Sequence, residues 1–85
     1  MSAAFVSIGY GSVVSSEKIV CVISSSSLPA KRIKNEAQRR NKLIDATQGR
    51  KTRSLVITTS DHIILSALAV ETLVSHLVGK KNARE

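Results

Sequence analysis

The sequence predicts a small, β-rich α+β domain, and three observations point to it. Runs rich in β-branched residues, "FVSIGYGSVV" (5–14), "KIVCVIS" (18–24), "KTRSLVITT" (51–59) and "HIILSAL" (62–68), alternate with turn residues. Two other stretches carry apolar residues at helical spacing, one central and basic, one C-terminal and amphipathic. The length, 85 residues, suits a single domain over 1–85. A chain this short buries only about 60–65% of the surface its unfolded form exposes, so self-association is expected.

The first run reads as two short β pieces around Gly9 and Gly11, a glycine-permitted turn with Tyr10 as a packed or interface ring. "KIVCVIS" is apolar on both faces, as in a strand covered by a helix on one side and another subunit on the other. Cys21, the only cysteine, is expected there as an inert core thiol. "SSSS" (24–27) ends in a serine N-cap, Pro29 falls in the first helical turn, and the helix runs to about Lys42. Its apolar stripe is narrow: Ala30, Ile33, Ala37 and Leu28 at its edge. "KLIDAT" (42–47) and "KTRSLVITT" flank Gln48-Gly49 and predict a hairpin with Lys51 and Arg53 at its basic tip. Leu55 and Ile57 then share one strand face and Ser54 and Val56 the other. Ser60-Asp61 is a second turn, after which His62 opens a strand as an edge residue. Val70, Leu73, Val74, Leu77 and Val78 form the stripe of the last helix, with an αL stop at Gly79 and a frayed tail over 79–85.

The formal charge is +7, and it is not spread evenly. Lys31, Arg32, Lys34, Arg39, Arg40, Lys42, Arg50, Lys51 and Arg53 are nine of the thirteen basic residues, opposed in that stretch only by Glu36 and Asp45. That stretch therefore carries all the net charge, since the rest of the chain holds four basic and four acidic residues. Ordinary solvated surfaces interleave both signs; unopposed charge on a helix and again on a hairpin tip points to a polyanion, of which nucleic acid is the chief example. Arg50 and Arg53 suit bidentate phosphate contacts and Lys51 suits general attraction. With one Phe, one Tyr and no Trp, the stacking platforms of single-strand binders are lacking.

Other chemistry finds little footing. Asp61 and His62 are strand neighbours that point to opposite faces, the six carboxylates are scattered, and no metal-ligand spacing joins His62, His76 and Cys21. No enzyme activity, cofactor, metal or small-molecule substrate is expected. "GYG" lacks the spacing of a nucleotide loop. The uncharged first sixteen residues lack a basic leader, and Ile19 to Ala30 is too short and serine-rich to span a bilayer, so a cytoplasmic protein without membrane contact is expected. From the residues alone, double-stranded DNA, structured RNA, and a scaffold role with an acidic partner all remain open.

"SIGYGSVV", "LPAKRI", "LIDATQGRKTR" and "SDHIILSALAVET", in this order and at these spacings, resemble the RemA family of bacterial extracellular-matrix regulatory proteins, from about Phe5 to Val78. The resemblance implies a fold related to the LytTR DNA-binding domain, ring-shaped homo-oligomers, and a nucleoid-associated DNA-binding regulator that activates biofilm-matrix genes by binding repeated sites on duplex DNA. It implies DNA contacts at Arg50 and Lys51, where the family's "GRRTR" motif falls, and at the family-like basic positions Lys18, Lys31, Arg32, Arg40 and Arg53. This chain departs from the family pattern at Lys51, in place of a more usual arginine, and at Gln48, where an aromatic is common. Lys34, Arg39 and Lys42 also make its helix more basic than the family pattern.

Overall fold

A computed structural model describes residues 5–82 of the chain. The first two pieces, β1 (Phe5–Gly9) and β2 (Ser12–Ser15), form an antiparallel ribbon whose tip is Tyr10-Gly11. A 3-10 turn, Ser16–Lys18, leads into β3 (Ile19–Ser24). The serine loop then enters α1 (Leu28–Arg39), with Ser27 as N-cap residue and Pro29 in the first turn as expected. The Ser27 hydroxyl does not cap the helix; it donates to the Ser24 carbonyl at 2.8 Å. After α1 come β4 (Leu43–Asp45), β5 (Ser54–Thr58), β6 (Ile63–Ser66) and α2 (Val70–Asn82).

The four later strands form one sheet in the order β3-β5-β6-β4. Alternation along these strands sends side chains to two separate cores. Val22, Val56 and Ile64 face the layer made by the β1–β2 ribbon and α2, where they meet Ile8, Ala46 and Leu73. Ile23, Leu55, Ile63 and Leu65 face α1, against Ala30, Ile33 and Ala37. The narrow α1 stripe is thus the helix's inner face, except that Leu28 is 88% exposed. The fold is a three-layer α+β domain with two helices and mixed pairing.

The structure corrects the predicted hairpin. β4 does not pair with β5; it pairs in parallel with β6, Leu43 beside Ile63 and Asp45 beside Leu65. β6 is buried at every position and β5 at all but Ile57, so each requires neighbours on both sides. Three-residue β4, with Ile44 45% exposed, is suited only to an edge. The antiparallel hairpin is instead β5–β6, and its turn at Ser60-Asp61, with Asp61 at φ 67°, is the one the sequence predicted. His62 lies in that turn rather than opening an edge strand, its Nδ1 2.7 Å from the Ser60 hydroxyl.

Cys21 is also corrected: it is exposed, not core. β3 is an edge strand with a bulge between Ile19 and Cys21, which leaves Cys21 exposed and Val20 62% exposed. At the other end of the chain, α2 continues through Gly79, where the sequence predicts a stop. One glycine costs a helix about 1 kcal/mol, and the lysines after it favour continuation. The side chain of Val78 and the tail beyond Asn82 lie outside the described residues. Among the described residues no helix is long and apolar enough to cross a membrane.

Candidate nucleic-acid interface

Because β6 inserts between β4 and β5, residues 46–53 must arch over the end of β6. Hydrogen bonds pin this arch at both ends. Ala46 N–H donates to the Leu65 carbonyl at 3.0 Å, and Arg53 N–H to the Ser66 carbonyl at 2.8 Å. From the other side, Ser25 N–H donates to the Arg53 carbonyl at 3.1 Å and its hydroxyl to the Thr52 carbonyl at 2.9 Å. The cations therefore ride on a loop whose backbone is hydrogen-bonded on two sides, not on a strand face.

Two devices shape the arch. The Asp45 carboxylate accepts from the Thr47 hydroxyl at 2.6 Å and the Thr47 N–H at 2.9 Å, which fixes the exit from β4. These bonds, the hydroxyl's foremost, with some help from Lys34, hold the Asp45 carboxyl below the usual carboxylate range. Then comes a tight turn, Thr47 to Arg50, closed by Arg50 N–H to the Thr47 carbonyl at 3.1 Å. Its central residues, Gln48 and Gly49, have φ of 55° and 84°, the pair of positive values a type I′ turn requires. The turn predicted at Gln48-Gly49 is present, though it joins an arch and not a hairpin.

Arg50, Lys51 and Arg53 are all exposed, and none has a carboxylate within 4 Å among the described residues. Arg50 lies instead over the Tyr10 ring, with Cζ 3.7 Å from the centroid. Tyr10 is thus neither a packed core ring nor enclosed; it is 46% exposed. The Gln48 side-chain amide donates to the Tyr10 carbonyl at 3.1 Å. Beside the arch lies an open cleft of about 330 Å³, lined by Lys51, Thr52 and Arg53, by Ser24–Ser26, and by the first residues of α2 including Glu71.

The other predicted positions divide between the two ends of the sheet. β3 ends at Ser24, opposite Ser54, so α1 starts beside the arch, and Lys31 and Arg32 are exposed in its first turns. Lys18 sits at the opposite end: β3 begins there, and the Lys18 carbonyl accepts from Thr59 N–H at 2.8 Å. Six strand residues at about 3.3 Å each separate it from the arch by roughly 20 Å. Arg40, at the far end of α1, is also there, with its guanidinium 3.7 Å from Glu36 Oε2. Arg39 donates to Glu36 Oε1 at 2.6 Å. Among the described residues, no group of three or more His, Cys, Asp or Glu could hold a metal ion.

Residue reading alone missed the supports of the arch: Ser25, Asp45, Thr47, Gln48, Ser54 and Ser66. Ser54 and Ser66 are fully buried. The Ser66 hydroxyl donates to the Ile8 carbonyl at 2.9 Å and the Ser54 hydroxyl to the Leu68 carbonyl at 2.8 Å, tying the ribbon and the α2 approach to the sheet. Ser54 opens β5 and Ser66 closes β6, each beside a run of apolar residues, and a serine buried there needs an acceptor for its hydroxyl.

Comparison with known proteins agrees with the sequence resemblance. The family model described as extracellular matrix regulatory protein A-like matches residues 5–77. A "Putative regulatory protein" of Thermodesulfovibrio yellowstonii is 58% identical over 72 residues, covering 85% of each chain. Proteins of the same name from Alkaliphilus oremlandii and Geobacillus thermodenitrificans are 47% and 45% identical over this whole chain, and cover 91% and 98% of their own lengths. A fold whose cations gather on a braced arch, a family model spanning nearly the whole chain and full-length relatives near half identity lead to one conclusion: this chain is a member of the RemA-like family of regulatory proteins.

Proposed function

We propose that the chain is an oligomeric, DNA-binding regulator of transcription that holds double-stranded DNA mainly through phosphate contacts at repeated sites. The observation that carries this is the arch: Arg50, Lys51 and Arg53 stand on a pinned backbone, exposed and without carboxylate partners among the described residues. An arginine already committed to a surface ion pair has less to offer a phosphate; these have their N–H edges free. Phosphate contacts give affinity with little sequence information, so specificity in this reading comes from DNA shape and from repetition of sites. The protein acts by binding, not catalysis, and works on the nucleoid in the cytoplasm.

Assembly belongs to the same reading. Phe5, Val13, Val20, Leu28 and Ile44 are large apolar side chains left 45% exposed or more. Val20 and Ile44 lie on the two opposite edge strands of one sheet, β3 and β4. Contacts between opposite edges of successive protomers are head-to-tail, and such contacts close into rings when the rotation permits. A ring would present several arches to one duplex and raise the effective concentration of each. Kinship with the LytTR domain, ring shape and activation of biofilm-matrix genes follow from the family resemblance and complete the proposal.

The test is anisotropy of a labelled DNA duplex titrated with protein, with a matched RNA duplex as competitor and native mass measured on the same samples. DNA bound by a multimer, with RNA competing weakly, is the expected result. Preference for the RNA duplex, or binding to neither, would overturn the reading.

A further inference from the structure

Phosphate binding does not by itself account for Tyr10. It occupies the tip of the β1–β2 ribbon between Gly9 and Gly11, at φ 54°. Left-handed backbone is costly for an ordinary L-residue, and asparagine or glycine would adopt it more readily. The ring it presents is nearly half exposed, so burial is a weak reason for a tyrosine there. What the position does achieve is contact with the arch. The ring meets the Arg50 guanidinium at 3.7 Å, and the Tyr10 carbonyl accepts the Gln48 amide at 3.1 Å. Both contacts reach across more than thirty-five residues of chain and land on the two sides of Gly49.

A guanidinium stacked on a ring gives up its flat face and keeps its in-plane N–H donors. An exposed arginine otherwise samples many rotamers, and part of that freedom must be lost on gripping a phosphate. A ring that holds the side chain in advance lowers that loss. We propose that Tyr10 is a positioning residue that holds Arg50 flat, with its N–H edge outward, ready for a backbone phosphate of duplex DNA. The inference rests on the DNA-binding reading of Arg50 and adds to it a dependence on the ribbon tip.

The test compares Tyr10→Leu, Tyr10→Asn and Tyr10→Phe for affinity to the labelled duplex. Leucine keeps bulk without a ring, asparagine is at ease in the left-handed backbone, and phenylalanine keeps the ring. About fivefold weaker binding is expected for Tyr10→Leu and Tyr10→Asn, a change on the scale of an exposed cation–π contact, and Tyr10→Phe should stay within about twofold of wild type. In an Arg50→Ala background the Tyr10→Leu change should have no further effect, because the two act through one contact. Tyr10 is the only tyrosine and there is no tryptophan, so tyrosine emission reports this ring alone. Arg50→Ala should alter that emission with no DNA present; unchanged emission overturns the inference. So does equal loss from Tyr10→Leu with and without Arg50, or a Tyr10→Phe variant as weak as Tyr10→Leu. If wild type ignores duplex DNA, the proposed function fails and the inference with it. If wild type binds and the ringless variants bind equally well, only the inference fails.

Discussion

The two ends of the four-stranded sheet both carry basic side chains and treat them differently. At the arch end, Lys31, Arg32, Lys34, Arg50, Lys51 and Arg53 face two carboxylates, Asp45 and Glu71. At the β5–β6 turn end, Lys18, Arg39, Arg40 and Lys42 face three: Glu17, Glu36 and Asp61. The contrast is sharper in the geometry. Glu36 takes both Arg39 and Arg40, whereas Asp45 turns its carboxylate to Thr47 and pairs with none of Arg50, Lys51 and Arg53. Six cations against two carboxylates at the arch end, and four against three at the turn end, leave one surface strongly positive and the other nearly neutral. Total charge says that a chain prefers anions; the placing of the few acids says where.

The comparison can be broken most directly with paired variants. Arg50→Ala with Arg53→Ala should weaken duplex binding about a hundredfold or more, since two charge-assisted contacts at about 1.5–3 kcal/mol each sum to about 3 kcal/mol at least. Arg39→Ala with Arg40→Ala should cost less than about threefold, as exposed pairs already joined to Glu36 contribute little. Equal losses in an anisotropy titration would erase the distinction between the ends.

A second contrast lies in the hydroxyls that brace each end. Ser66→Ala leaves the buried Ile8 carbonyl without its donor and should destabilise the fold by about 2 kcal/mol in urea denaturation. Ser60→Ala removes an exposed hydroxyl from the turn end and should cost under about 0.5 kcal/mol. A reversal of that order would show that the buried hydroxyl tying the ribbon to the sheet does not anchor the fold.

The smallest effect concerns pH. Asp45 has a lowered folded pKa, so its stabilising bonds to Thr47 are fully present above its unfolded value, about 3.9. They are lost as pH falls through that lowered folded value. Wild type should therefore be more stable than Asp45→Asn at neutral pH, with the difference shrinking below about pH 4. A gap that persists unchanged at lower pH would point to a role for Asp45 other than its charge.

Much of this architecture was legible in the residues. The ribbon around Gly9 and Gly11, the basic helix after Pro29, the turn at Asp61 and the final helix each follow from local pattern. Alternation also placed Leu55 and Val56 on opposite faces, and the two cores bear that out. Pairing was not legible. β4 and β5 flank a turn that suits a hairpin, and only competition for the buried positions around β6 sends them apart. Cys21 was misplaced for a related reason: an apolar strand was read as interior, when its neighbours put it at an edge. At the candidate interface the cations announced themselves by type, but their order did not. Which of them Glu36 holds, which Tyr10 meets, and which stand roughly 20 Å away depends on how the chain returns on itself.

The central claim, that the arch end alone grips duplex phosphates, is tested most directly by the salt dependence of binding in three proteins. Each phosphate neutralised contributes about −0.9 to the slope of log affinity against log salt. Removing Arg50 and Arg53 should make the slope shallower by about 1.8 per protomer engaged, while removing Arg39 and Arg40 should leave the wild-type slope unchanged. The same reduction for both pairs, or a steeper dependence on Arg39 and Arg40, would contradict it.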